Sequence, residues 1–287
     1  MSAEATTARR ARLAGACAMT LALAAGAIVL PTAPAHAADP ITAADQSYFA
    51  YYHLDQARAK GYTGKGVTIA LIDGEVDTTV PELAGATIID KSPCTVTSSP
   101  FSKTHGTAIA SLLVSKTYGV APDATLLTYR TSLADDGDES GNECAFRNGN
   151  PIEDPTSLIN RAISDGAQII SISSSDENFD DSTKWAIARA DALGVIVVSP
   201  MGNDAKDETN NGYSKWSGVV GVGAIDTTGK VADYSSWGQG TTTAAVGGPI
   251  IVRNYETGNK AAADGTSYST PLIAGFLALA KQKCWKD

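Results

Sequence analysis

The chain has 287 residues, 43% of them hydrophobic and 18% charged, and a formal net charge of −9. Setting aside residues 1–37, which carry three basic residues and one acidic one, leaves 19 basic against 30 acidic and a net charge of −11. That balance excludes partners such as nucleic acid or an anionic membrane surface, while the 250 residues left are enough for one large domain with a sizeable core.

Arg9, Arg10 and Arg12 precede an Ala/Leu-rich apolar run over residues 13–30, and Ala35-His36-Ala37 then offers small residues for cleavage. The pattern predicts a secretory signal peptide over 1–37. No Phe-Leu follows the paired arginines, so general export is expected rather than the twin-arginine route. The alternative is an uncleaved anchor, since the run is nearly long enough to span a bilayer. No later apolar run approaches that length, so no stable membrane insertion is expected of the remaining domain, residues 38–287, whose ordered core is placed at about 45–283. Cys94, Cys144 and Cys284 survive cleavage. In an oxidising exterior Cys94 and Cys144 are candidates for a disulfide, leaving Cys284 unpaired; three free thiols is the alternative, and the sequence does not fix the pairing.

Along the domain, a helix is expected over 45–60, closed by Gly61, and then a buried strand over 67–73. A helix opened by His105 runs to 118 before Gly119, and a strand covers 124–129. Acids, glycines and asparagines over 133–154 predict a long surface loop. Then follow a helix over 154–164, a strand over 168–173, a helix over 181–193 and strands over 195–199 and 219–225. A last apolar helix begins near Ser267 and keeps Pro271 in its first turn. Short, nearly continuous apolar runs alternating with helices predict βαβ units: an α/β fold of three layers, a mostly parallel central sheet with helices on both faces. In such sheets working residues gather at the carboxyl ends of the strands.

Three residues stand at suggestive places. Asp73 ends a strand so apolar that its carboxylate needs a partner, although a structural ion pair would satisfy it. His105 begins "HGTAIASLLV" among small neighbours, although a surface histidine is the plain reading. Ser267 follows a Gly-Thr turn at a helix start, where free backbone N–H groups favour negative charge, although such a serine is usually an N-cap.

Taken together, Asp, His and Ser in this chain order resemble the subtilases, the subtilisin-like serine peptidases. "GKGVTIALIDGEVD" is similar to the family's Asp block, "HGTAIASLL" to its His block and "GTSYSTPLIAG" to its Ser block. "GVAPDATLLTYR" and "VIVVSPMGND" are similar to two further family segments, and the lead-in "YYHLDQARAKGYTGKG" looks most like that of secreted actinobacterial members related to the mycosins. The resemblance runs from about residue 51 to 280 and implies a subtilisin-like fold and peptide-bond hydrolysis. By that resemblance Ser267 is the nucleophile, His105 the general base and acid, and Asp73 the residue that orients the imidazole. Asn203 and the Ser267 N–H would hold the oxyanion, with Gly202 as a turn residue. Ser173, Ser174 and Ser175 fall where the family pairs its substrate as an added strand.

Departures from the family pattern shape further expectations. Gly74-Glu75 follows Asp73 where Thr or Ser and then Gly is usual, and a carboxylate pointing inward there would perturb Asp73. Ser175, Pro200 and Met201 suggest a narrow first pocket and small residues before the cut, while the acidic stretch 135–143 suggests basic residues further upstream. "DGDESG" matches the start of a calcium loop, but Arg147 stands where a bidentate Glu is needed, so no cofactor is expected and structural calcium is left open for this loop alone. The expected protein is a secreted monomer acting on polypeptides. A catalytically silent subtilase that binds peptides or a partner is the alternative; an α/β-hydrolase esterase is disfavoured because no Gly-x-Ser-x-Gly elbow surrounds Ser267.

Overall fold

The computed structural model describes residues 39–93, 98–131, 133, 154–174, 181–208 and 212–284. The expected leader, Cys94, Cys144, the acidic loop and Ser175 lie outside them. Seven strands form one sheet in the order β2-β3-β1-β4-β5-β6-β7, with every neighbouring pair parallel. They are β1 Thr68–Asp73, β2 Thr87–Asp90, β3 Thr125–Arg130, β4 Ile169–Ile172, β5 Ile196–Pro200, β6 Val219–Ile225 and β7 Thr241–Val246. A separate antiparallel hairpin joins β8 Ile250–Arg253 to β9 Lys260–Ala263.

Alternate residues of each strand face opposite sides, and each side has its own core. Ile69 and Leu71 of β1 join a cluster with Leu112 of helix α3 (Pro100–Val114) and Leu272 of helix α6 (Thr266–Cys284). Ala70 and Ile72 join the opposite cluster with Leu158 of α4 (Pro155–Ser164) and Ile187 of α5 (Asp181–Ala192). Helices therefore cover both faces of the sheet, giving the three layers expected. The order places β1 between β3 and β4, so the chain's winding reverses beside β1. At such a switch point the carboxyl ends of the strands open a crevice, and Asp73 is the last residue of β1.

Three expected elements are corrected. The helix over 45–60 is two short ones, α1 Ser47–Tyr51 and α2 Leu54–Ala59, because His53 takes a left-handed conformation with φ 52°. The helix carrying His105 does not begin there: Ser99 accepts a bond from the Ser102 N–H at 3.1 Å and Pro100 takes the first position, a start that a proline with preset φ favours. His105 therefore sits in the second turn, and the helix ends at Val114, capped by Ser115 rather than by Gly119. Finally, α6 begins at Thr266, so Pro271 is its sixth residue and lies beyond the first turn. Its missing N–H deprives the Ser267 carbonyl of the usual i→i−4 bond.

Candidate active site

Asp73, His105, Asn203 and Ser267 come from four separated elements and meet at the carboxyl edge of the sheet. Asp73 is 1% exposed. Its Oδ1 accepts hydrogen bonds from the Gly74 N–H at 2.7 Å and from His105 Nδ1 at 2.8 Å. Oδ2 is buried without a partner, so compensation for burying the carboxylate comes through Oδ1. A carboxylate only accepts, so Nδ1 carries the proton and Nε2 is left as a lone-pair acceptor. Burial disfavours the charged imidazole, but attraction to the Asp73 carboxylate and the hydrogen bond to it outweigh burial and raise the His105 pKa above its ordinary value.

The close approach of α3 to β1 depends on two glycines. A Cβ at Gly106 would stand 2.5 Å from the Gly74 carbonyl oxygen and 2.6 Å from that of Glu75, and one at Gly74 would run into Ser102. Glycine at 74, a departure from the family pattern, is thus a packing requirement of this chain. The imidazole also lies between two aromatic rings. Phe101 stacks at 6.0 Å with an interplanar angle of 27°, and Tyr268 packs tilted at 5.5 Å. Sequence reading missed both, although Phe101 precedes His105 by one helical turn, a spacing that shares a face.

Ser267 is the second residue of α6, where the Ser267 N–H has no intrahelical acceptor. Asn203 is oriented by Thr266: its Oδ1 accepts from the Thr266 N–H at 2.8 Å and from Thr266 Oγ1 at 2.9 Å. Thr266 Oγ1 in turn accepts from the Gly202 N–H at 3.2 Å, and Gly202 itself has φ 102°. With its oxygen engaged, the Asn203 amide presents Nδ2. A Cβ added at Gly265 would stand 3.2 Å from Ser267 Oγ and 3.3 Å from Asn203 Nδ2, so both atoms flank one small space.

That space opens into a cavity of about 470 Å³. His105, Ser267, Asn203 and Gly202 line it, as do Ser173 and Ser174 at the end of β4 and Pro200 and Met201 at the end of β5. The structure therefore brings together every candidate residue except Ser175, which is not among those described. Glu208, which sequence reading did not single out, also lines the cavity. Glu75 does not point at Asp73: its carboxylate pairs with Lys103 at 3.4 Å and Arg130 at 3.6 Å. Among the described residues no group of three or more His, Cys, Asp or Glu side chains is placed to hold a metal ion, and none of their helices is long and apolar enough to cross a membrane.

A profile of the subtilase family matches residues 64–286. The chain is 28% identical over 242 residues to a thermostable alkaline protease of Halalkalibacterium halodurans, a match that covers 81% of this chain and 62% of that protein. It is 28% identical over 256 residues to subtilisin E of Bacillus subtilis, covering 82% and 62%. The chain thus spans less than two thirds of the length of these relatives. Among solved structures it is similar to the prenylagaramide maturation protease PagA, with a TM-score of 0.65, 26% identity and coverage of 81% and 82%. It also shares its fold with a cold-adapted subtilisin-like serine proteinase, at a TM-score of 0.60, 22% identity and coverage of 77% of each chain.

Proposed function

This chain belongs to the subtilase family, and on that premise we propose that it is a secreted serine endopeptidase that cuts polypeptides through an acyl-enzyme. The observation carrying this reading is the 2.8 Å contact between His105 Nδ1 and a buried Asp73, made where Ser267 and Asn203 Nδ2 face the same cavity. Ser267 Oγ attacks the scissile carbonyl and passes its proton to His105 Nε2. Asp73 keeps the imidazole in the tautomer that can take that proton and balances its charge afterwards. Asn203 Nδ2 and the Ser267 N–H donate to the oxyanion at a helix N-terminus, where the dipole favours negative charge. Collapse of the tetrahedral intermediate breaks the C–N bond, and the amine leaves with the proton from His105. Water, deprotonated by the same imidazole, then releases the acyl group and restores Ser267. Ser173 and Ser174 supply backbone at the end of β4 for an extended substrate.

Residues 1–37 act in this reading as the cleaved leader, and the protein works outside the cell as a monomer. A Glu75 carboxylate turned inward would perturb Asp73, and its pairing with Lys103 and Arg130 instead supports the active reading. The deciding experiment exposes the secreted protein to a fluorophosphonate probe and follows cleavage of a denatured protein substrate. Stoichiometric labelling of Ser267, with labelling and cleavage both lost in Ser267→Ala, is the expected result. Absence of both in the folded wild type would establish the silent, peptide-binding alternative. Intact mass of the same material fixes its N-terminus.

A further inference from the structure

The cavity is unevenly charged. Asp204, Glu208 and Asp264 line it, and among the described residues that line it none is Lys or Arg. Asp204 and Asp264 sit at the exposed rim, but Glu208 is a different kind of group. It is 7% exposed, its backbone N–H is fixed to the Trp237 carbonyl at 2.7 Å, and its Cγ would lie 3.8 Å from a Cβ at Gly202. The carboxylate is therefore packed behind the residue that precedes the oxyanion donor Asn203. Lys206 pairs with Glu208 at 3.2 Å and with Asp204 at 3.1 Å, but it is half exposed and is shared by two carboxylates. Among the described residues, one solvated cation stands against three carboxylates, so the wall they form is negative.

A second observation points to a ligand donor. Ser173 Oγ, on a residue 3% exposed, has no hydrogen-bond partner and belongs to a residue lining the same cavity. A buried hydroxyl without a partner is costly until something fills the space beside it. Pro200 and Met201 add apolar wall. Apolar walls, a buried carboxylate and a free hydroxyl suit a side chain with a methylene stem and a cationic head. The expectation of a small residue rested on Ser175 together with Pro200 and Met201; the latter two line a cavity whose roughly 470 Å³ leaves room for a long side chain.

We propose that Glu208 is a specificity-determining residue, selecting substrates with Lys or Arg as the residue whose carbonyl is attacked. The proposal rests on the reading of Ser267 as nucleophile. Five peptides differing only at that residue, as Lys, Arg, norleucine, Ala or Phe, test it on the secreted protein. A charged hydrogen bond of this kind is expected to raise kcat/KM for Lys or Arg over norleucine about ten- to a hundredfold. Glu208→Gln should bring that ratio close to one. Lys206→Ala, at an exposed position, should raise it, since the competing cation is gone. Added salt should lower it. A wild-type ratio at or below one overturns the proposal, as does a ratio that Glu208→Gln leaves unchanged. Should Glu208→Gln fail to fold, Lys206→Ala decides, and an unchanged ratio there counts against it. If no peptide is cut and Ser267 is not labelled, the endopeptidase reading fails first; labelling with the wrong selectivity fails only this inference.

Discussion

His105 is held on three sides, by Asp73 at Nδ1 and by the rings of Phe101 and Tyr268. Aromatic faces near a cation favour its charged form, so the rings act in the same direction as the carboxylate. Because the pKa is raised, a base that must be neutral to accept the Ser267 proton becomes available only above the ordinary histidine range. The acid limb of kcat/KM is therefore expected above pH ~6.5. Asp73→Asn should move that limb down and lower turnover by about 10⁴, which a pH–rate series on both proteins checks. The same shift has a stability consequence. Protonated His105 stabilises the fold fully below the unfolded pKa, and the contribution disappears as pH rises through the higher folded value. Thr266 offers a second residue-level prediction. Asn203→Ala removes the oxyanion donor and should cost about 10²–10³ in kcat with little change in KM. Thr266→Val leaves Asn203 in place but removes the Oγ1 that bridges it to Gly202, so a smaller loss of kcat in the same direction is expected, read in the same assay.

At the scale of elements, α3 delivers His105 by lying almost against the backbone that follows β1, and Gly106 sets that distance. Gly106→Ala should push the helix outward, costing about 1–3 kcal/mol by overpacking and lowering Tm by about 2–4 °C per kcal/mol, with turnover falling as His105 withdraws from Ser267. Calorimetry and the peptide assay on one preparation check both halves. The central strands were legible because burial on both faces leaves an apolar run, as in "IALID" and "VIVVS". The strands at the sheet edges were not. β2 is exposed or half-exposed throughout, β7 begins with three threonines, of which two are exposed, β8 fully buries only alternate residues and β9 fully buries none. Helix starts were misplaced for a related reason: apolar periodicity marks the buried face, whereas α3 begins with the cap and proline of "SPFSKT" one turn before that face appears. The triad's chain order was visible in the family blocks, but much of what surrounds it was not: Glu208 reaches the cavity, and Arg130 reaches Glu75, only through tertiary folding.

On the scale of the whole molecule, the segment from Asp39 to Lys60 is a strap that ties together β7, the β8–β9 hairpin and the chain that follows α3. Gln46 makes two hydrogen bonds to the Ile251 backbone of β8, Tyr52 Oη accepts from the Val246 N–H of β7, and Arg58 caps the carbonyls of Lys116, Thr117 and Gly119 after α3. Glu82 ties this strap to the hairpin: its buried carboxylate accepts from the Ile41 N–H at 2.9 Å and pairs with Arg253 at 2.6 Å. Burial alone would raise the Glu82 pKa, but the bonds from Arg253 and Ile41 win and lower it. Glu82 therefore adds stability that is complete above the unfolded carboxylate pKa and is lost as pH falls through the lower folded value. Replacing the carboxylate strands Arg253 and the Ile41 N–H together, and breaking a buried pair from one side costs about 3–5 kcal/mol. Glu82→Ala should accordingly lose stability by that order near neutral pH, with a deficit that shrinks under acid because the wild type loses the same contribution there. Hydrogen exchange should rise first at residues 41–46 and across β8, before the sheet. Faster exchange spread evenly over the molecule, or a deficit independent of pH, would mean that the strap is held by its other contacts and that the Glu82 pair does not join it to the hairpin.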